Sequence, residues 1–378
     1  MNKAFEYLRR FDLILFSSIV ILLALGLSAI YSVDLGHGTG DFLKTKKQII
    51  AIVVGFILFF SVSFFNYKRL FRYTFGIYLI LIAMLVSVLI FGQEVRGTKS
   101  WFNFGIVNLQ PVEFVKIGMI IVLAKYFSEH LDKKFTLRFI VESGLLAAAP
   151  VVLVLLQPDF GSAMVIVFLW LFMLLVVGIS KKNILIIAVT GTILALTAWF
   201  FLLQSYQKER ILNFLQPTRD THISGYNIKQ AIIAIGAGKI WGRGLGLGSQ
   251  TQLKFLPESQ TDFIFAVIAE ELGLVIVAVI FAAFALIFYR LWMLAKNSND
   301  NFSVYIILGA AFVIFVQMFI NVGMNLGLVP VTGLTLPFVS YGGSSLLAHF
   351  ILLGVIEAIK IRTTFISQGH DAEYISHI

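Results

Sequence analysis

The chain of 378 residues is 59% hydrophobic and only 13% charged, with a mean hydropathy of +0.92. Soluble domains are nearer half apolar and a quarter charged, so the composition specifies an integral membrane protein with room for one multi-helix bundle. The absence of cysteine excludes disulfides, iron–sulfur clusters and thiolate zinc sites, and a net charge of +9 without long basic blocks favours anionic lipid over nucleic acid as partner.

A span needs about 20 mainly apolar residues. Ten are expected, centred near Leu22, Val54, Leu81, Ile121, Ala148, Leu171, Ile193, Val277, Phe315 and Leu352. The fold class is therefore all-α, with residues 1–378 forming a single polytopic membrane domain. The first span is too long for a signal peptide and lacks a small-residue cleavage site. No fixed-period repeat and no low-complexity linker divides the chain.

Between the third and fourth spans, Val95 to Phe102 carries Arg96, Lys99 and Trp101. An interfacial Trp commonly anchors a belt, and two cations beside it favour an anionic headgroup. The fourth span opens with Gln110-Pro111 and places Glu113 and Lys116 three residues apart, on one helical face. Charges within a span usually face the bundle interior and mark function; the alternative is a structural ion pair that fixes two helices. Gln157-Pro158-Asp159-Phe160-Gly161-Ser162 reads as a tight reversal with Asp159 capping the next helix.

A long polar stretch, about 205–261, separates the seventh and eighth spans. It contains Arg210, Lys239 and Arg243 among dense glycines, which permit close approach of a ligand. Lys239 and Arg243 could hold a phosphate there, and a flexible tether is the plainer alternative. The Walker spacing is absent. Next comes Leu256 to Phe265, which sets acidic side chains at the mouth of an apolar helix expected from Phe263 to about Tyr289. With Thr261 as cap, Asp262 falls in the first turn, where it can reach a substrate whose tail lies in lipid and whose head lies in water. Asp262 is read as the reacting group.

Deeper in that helix, Ala266, Ala269, Glu270 and Gly273 share a face suited to close packing, and Glu270 is expected in a buried polar contact. Finally, two prolines and paired glycines between Pro330 and Ser345 suggest an irregular segment, tolerated at membrane depth only against protein or a water-filled cavity. The histidines have no ligand spacing.

Lys and Arg orient the bundle. With ten spans, Lys3, Arg9, Arg10, Lys68, Arg69, Arg72, Lys133, Lys134, Arg138, Lys181, Lys182, Arg290, Lys296, Lys360 and Arg362 fall on one side; Lys44, Lys46, Lys47, Arg96 and Lys99 fall on the other. Both termini are thus expected in the cytoplasm, with Asp262 and the long loop outside.

Several segments together closely resemble the SEDS family of shape, elongation, division and sporulation proteins, which includes RodA and FtsW. They are Gln110 to Lys116, Gln157 to Gly161, Gly242 to Gly246, Leu256 to Phe265 and Leu336 to Ser345. Pro330 to Gly333 and Gln260-Thr261-Asp262 look more like RodA than FtsW. Departures are small: Asn227 stands where the family usually has Gln, and Ala237 and Lys239 alter a Gly/Ser-rich run.

The resemblance implies a ten-helix peptidoglycan glycosyltransferase that polymerises lipid II on the outer face of the bacterial cytoplasmic (inner) membrane. It maps the essential aspartate to Asp262, the ion pair to Glu113 and Lys116, and a sensitive tryptophan to Trp101. It also implies a class B penicillin-binding protein as partner, among other elongation-complex membrane proteins. Asp262 would act as general base, with Lys116, Arg96, Lys99, Arg210 and Arg243 as candidate cations for the departing pyrophosphate. Magnesium or manganese is a further candidate, with no residues assigned to it. A flippase for lipid-linked precursors and a non-catalytic scaffold are the competing classes; inverted halves, which a transporter often shows, are not evident.

Overall fold

The structure, a computed structural model, describes residues 11–36, 42–95, 98–103, 108–133, 136–202, 208, 212 and 223–367. In chain order the first helices are α1 (Leu13–Gly36), α2 (Leu43–Ser63) and α3 (Lys68–Phe91). A small antiparallel sheet follows, of β1 (Gln93–Val95), β2 (Thr98–Asn103) and β3 (Asn108–Leu109). The remaining helices are α4 (Pro111–Glu129), α5 (Leu137–Leu156), α6 (Phe160–Val177), α7 (Lys181–Thr197), α8 (Ile223–Gly238), the short α9 (Ser249–Gln252), α10 (Ile264–Lys296), α11 (Asn301–Asn325) and α12 (Gly343–Ser367).

Among the described residues, eight helices are long and apolar enough to cross a membrane: α1, α2, α3, α5, α6, α10, α11 and the Gly343–Thr363 part of α12. The two remaining expected spans correspond to α4 and α7. α7 has only 17 residues. α4 carries Glu113, Lys116, Lys125 and Glu129, yet every residue from Val115 to Ala124 is buried. It packs against α3, α5, α6, α11 and α12, so its neighbours rather than lipid meet its surface. A helix so enclosed does not need a uniformly apolar sequence.

The stretch between the seventh and eighth expected spans contains α8 and α9. α8 packs along α10, and Gly238 lies so close to it that a Cβ would stand 1.7 Å from the Ala269 carbonyl oxygen. The small residue at Ala269 thus admits α8, and Gly273 admits the turn that follows it.

α10 is broken at Gly273, where φ is 77° and ψ is −177°, a region essentially confined to glycine. The break frees backbone groups on both sides, and the turn after α8 takes them up. Leu274 and Val275 N–H donate to the Lys239 and Ile240 carbonyls at 3.0 and 3.2 Å. In return, Arg243 and Gly244 N–H donate to the Glu270 and Glu271 carbonyls at 3.0 and 2.9 Å. The turn therefore substitutes for the missing helical ladder, as burial demands.

Candidate functional site

Asp262 sits in a tight turn before α10. A positive φ of 54° at Glu258 lets its carbonyl gather three N–H groups, from Thr261, Asp262 and Phe263, at 3.1 to 3.3 Å. α10 begins at Ile264, and Thr261 does not cap it; its hydroxyl turns back to Glu258. Capping comes from a neighbouring helix instead, because Asn325 Oδ1 accepts from Ala266 N–H at 3.2 Å. Asp262 consequently precedes the helix rather than lying in its first turn.

Three regions clamp this peptide. From α11, Asn321 and Asn325 donate through Nδ2 to the Asp262 carbonyl at 3.1 and 2.9 Å. From α1, Asp34 Oδ1 accepts from Gln260 Nε2 at 2.7 Å. From the loop before α12, Ser340 Oγ donates to the Thr261 carbonyl at 2.7 Å, and Tyr341 N–H to the Gln260 carbonyl at 2.8 Å. The backbone is thus fixed while Asp262 stays partly exposed. Opposite it stands Gly333, where a Cβ would lie 3.8 Å from Asp262 Oδ2.

The same loop leads to a second polar group. Gly161 packs on the Thr332 carbonyl, next to Asp159, whose Oδ1 caps α6 by accepting from Ser162 N–H at 3.0 Å. Gln110 joins Asp159 to the α12 entrance: its Nε2 donates to Asp159 Oδ2 at 3.2 Å, and its N–H to Ser344 Oγ at 2.9 Å. Desolvation pushes the Asp159 carboxyl above its ordinary range, against its hydrogen bonds with Ser162 and the field of Lys116. One turn into α4, Lys116 Nζ lies 2.8 Å from both Glu113 oxygens, and both side chains are buried.

The remaining candidates are dispersed. Trp101 is partly buried in β2. Lys99, on the same strand, is exposed and donates to the Ile90 carbonyl at 3.2 Å. Arg243 is exposed and reaches Ser249 Oγ at 2.7 Å, in the turn bound to Glu270. Arg96 and Arg210 lie outside the described residues. The expected burial of Glu270 holds: its carboxylate accepts from Gln250 N–H, Thr251 N–H and Thr251 Oγ1 at 2.8 to 3.1 Å.

Among the described residues no group of three His, Asp or Glu could cage a metal ion. Sequence reasoning missed Asn321, Asn325, Asp34 and Gln260 as supports of the site. Their signal was present in the two asparagines, four apart in an apolar span, where polar groups require partners.

The sequence profile of the FtsW/RodA/SpoVE cell cycle proteins matches residues 10–364. The chain belongs to this family. An FtsW from Thiomicrospira cyclica, described as a probable peptidoglycan glycosyltransferase, is 35% identical over 96% of this chain and 94% of its own length. The peptidoglycan glycosyltransferase MrdB of Escherichia coli K12 is 36% identical over 78% of this chain and 79% of its own. Among solved structures, one titled for the coordination of polymerization and crosslinking by a peptidoglycan synthase complex matches with a TM-score of 0.78 and 30% identity. That match covers 93% of this chain and 98% of the other. Thermus thermophilus RodA matches with a TM-score of 0.68 and 27% identity, covering 93% and 96%. FtsW and MrdB relatives stand at similar identity, so the FtsW/RodA/SpoVE assignment holds at the level of the family. The chain is a multi-pass membrane enzyme of that family.

Proposed function

We propose that this peptidoglycan glycosyltransferase polymerises lipid II with Asp262 as general base. The supporting observation is the contrast at that residue. Its backbone is held by Glu258, Asn321 and Asn325, and the residue is partly exposed beside Gly333. Such pre-organisation suits a positioned base. The carboxylate takes the proton from the GlcNAc 4-hydroxyl of one lipid II as that oxygen bonds to MurNAc C1 of the other. The C1–O bond to undecaprenyl pyrophosphate breaks, and the electron pair leaves with the pyrophosphate. A single displacement inverts the α-linked donor to a β-linked polymer and needs one base.

Charge on the leaving group requires cations. Lys116, Lys99 and Arg243 are candidates, together with Arg96 and Arg210. Lys116 is already neutralised by Glu113, so its first role is to hold α4. Among the described residues no three His, Asp or Glu side chains are grouped to hold a divalent metal.

Within the family the reading is RodA-like, on Pro330 to Gly333 and Gln260 to Asp262. The bundle has ten spans, α4 and α7 included, in the bacterial inner membrane, with both termini cytoplasmic and Asp262 outside. A class B penicillin-binding protein supplies crosslinking, a partnership supported by the peptidoglycan synthase complex among the structural neighbours; other elongation-complex membrane proteins join it.

Purified protein with its partner should turn labelled lipid II into long glycan. Asp262→Asn should insert and melt normally and lose ~100- to 10,000-fold in rate. Near-normal synthesis by a well-folded Asn variant would overturn the assignment. A flippase would yield no glycan in detergent.

A further inference from the structure

The turn that bridges the Gly273 break carries an exposed surface unlike a solvent loop. Ile240 is 56% exposed and Trp241 80%, with Leu247 at 69%, and the exposed cations Lys239 and Arg243 are interleaved with them. Its height is fixed by the backbone bonds to Leu274 and Val275. From Leu274 to Lys296 the second half of α10 runs roughly 34 Å at ~1.5 Å per residue, enough alone for a hydrocarbon core of about 30 Å. Arg290 and Lys296 occupy its far end, where Arg290 pairs with Asp12. The turn must therefore stand at the opposite boundary of the bilayer, on the Asp262 side.

Leu274 and Val275, directly beside it, are themselves 61% and 40% exposed, so the patch continues the lipid-facing surface of the span. Tryptophan prefers this level, and cations next to it are drawn to anionic headgroups. We propose that the Lys239–Leu247 turn is an interfacial anchor. Ile240 and Trp241 enter the acyl-chain boundary, and Lys239 meets anionic phospholipid headgroups. Lipid then braces the break, and through it the half-helix that starts two residues after Asp262. The inference needs only that the bundle spans a membrane, not which side is outside.

The chain has no cysteine, so single cysteines report cleanly. Ile240→Cys and Trp241→Cys would each carry a polarity-sensitive fluorophore, with mid-span Ile80→Cys as the deep reference; using two adjacent sites guards against one variant failing to fold. Full-length protein is placed in phosphatidylcholine vesicles, with and without phosphatidylglycerol, containing lipids spin-labelled near the carbonyl or at the chain end. The carbonyl-level label should extinguish most emission at 240 and 241, and the chain-end label most emission at 80. Phosphatidylglycerol should blue-shift the 241 probe, and Lys239→Gln should abolish that shift. Water-like, unquenched emission at both sites would overturn the anchor. So would a blue emission that escapes both labels and rises with the protein-to-lipid ratio, which would assign the patch to a second copy. An emission indifferent to phosphatidylglycerol would overturn the anionic-lipid contact.

Discussion

At the scale of single residues, two charged groups show what burial does to an ion pair. Glu113 and Lys116 are enclosed by α4's neighbours, and each is the other's compensation. Glu113→Gln should leave a buried, unbalanced ammonium, at a cost of roughly 3–5 kcal/mol. Glu113→Gln with Lys116→Met removes both charges and should melt close to the parent. Melting and lipid II turnover measured on the same preparations separate packing from chemistry: full turnover by the double variant would remove Lys116 from the reaction. Asp12 offers a pH-dependent counterpart at the other end of the bundle. Burial alone would raise its pKa, but the Arg290 hydrogen bond, the Leu15 N–H and Lys360 together hold it below the ordinary 3.8. A carboxylate depressed in the folded state stabilises fully above its unfolded value, and that stability is lost as pH falls through the folded value. The difference in melting temperature between the parent and Asp12→Asn should therefore shrink as pH falls below about 4.

At the scale of elements, the broken α10 is the feature on which the site depends. Its first half is buried, from Ile264 to Glu271, and joins Asp262 to the break. Gly273→Ala would put a Cβ 2.2 Å from the Gly242 nitrogen and force a non-glycine residue into a glycine-only conformation. The conformational part alone should cost about 1–3 kcal/mol, and the clash adds to it. Loss of melting temperature, with loss of glycan synthesis at temperatures where the variant remains folded, is the expected result. Unchanged values for both would show that the break is dispensable. The expectation of one continuous helix from Phe263 had no means of detecting this, because an isolated glycine within a long apolar run is often tolerated. What distinguishes Gly273 is its contact with Gly242, some thirty residues away in the chain.

For the whole molecule, the orientation drawn from Lys and Arg implies that Pro257 and Lys133, both exposed, face opposite sides. Cysteines introduced at these positions should react with an impermeant maleimide from outside and from the cytoplasm respectively. Reaction of both from one side would refute the ten-span topology. Among the described residues, length and hydropathy mark eight spans: α7 has only 17 residues, and α4, surrounded by protein, is released from the requirement to be apolar.

The sequence by itself determined what depends on local chemistry and short spacing. The apolar runs dictate a membrane bundle, three-residue spacing pairs Glu113 with Lys116, Asp159 caps α6, and Asp262 stands out as a carboxylate beside a long polar segment. Tertiary structure alone decided what Asp262 leans on. Asn321, Asn325, Asp34 and Ser340 converge on residues 260–262 from positions 59 to 226 residues distant. No periodicity encodes which buried amide meets which carbonyl. That pairing is set by packing, because a polar group removed from water must find its partner wherever the folded chain brings one.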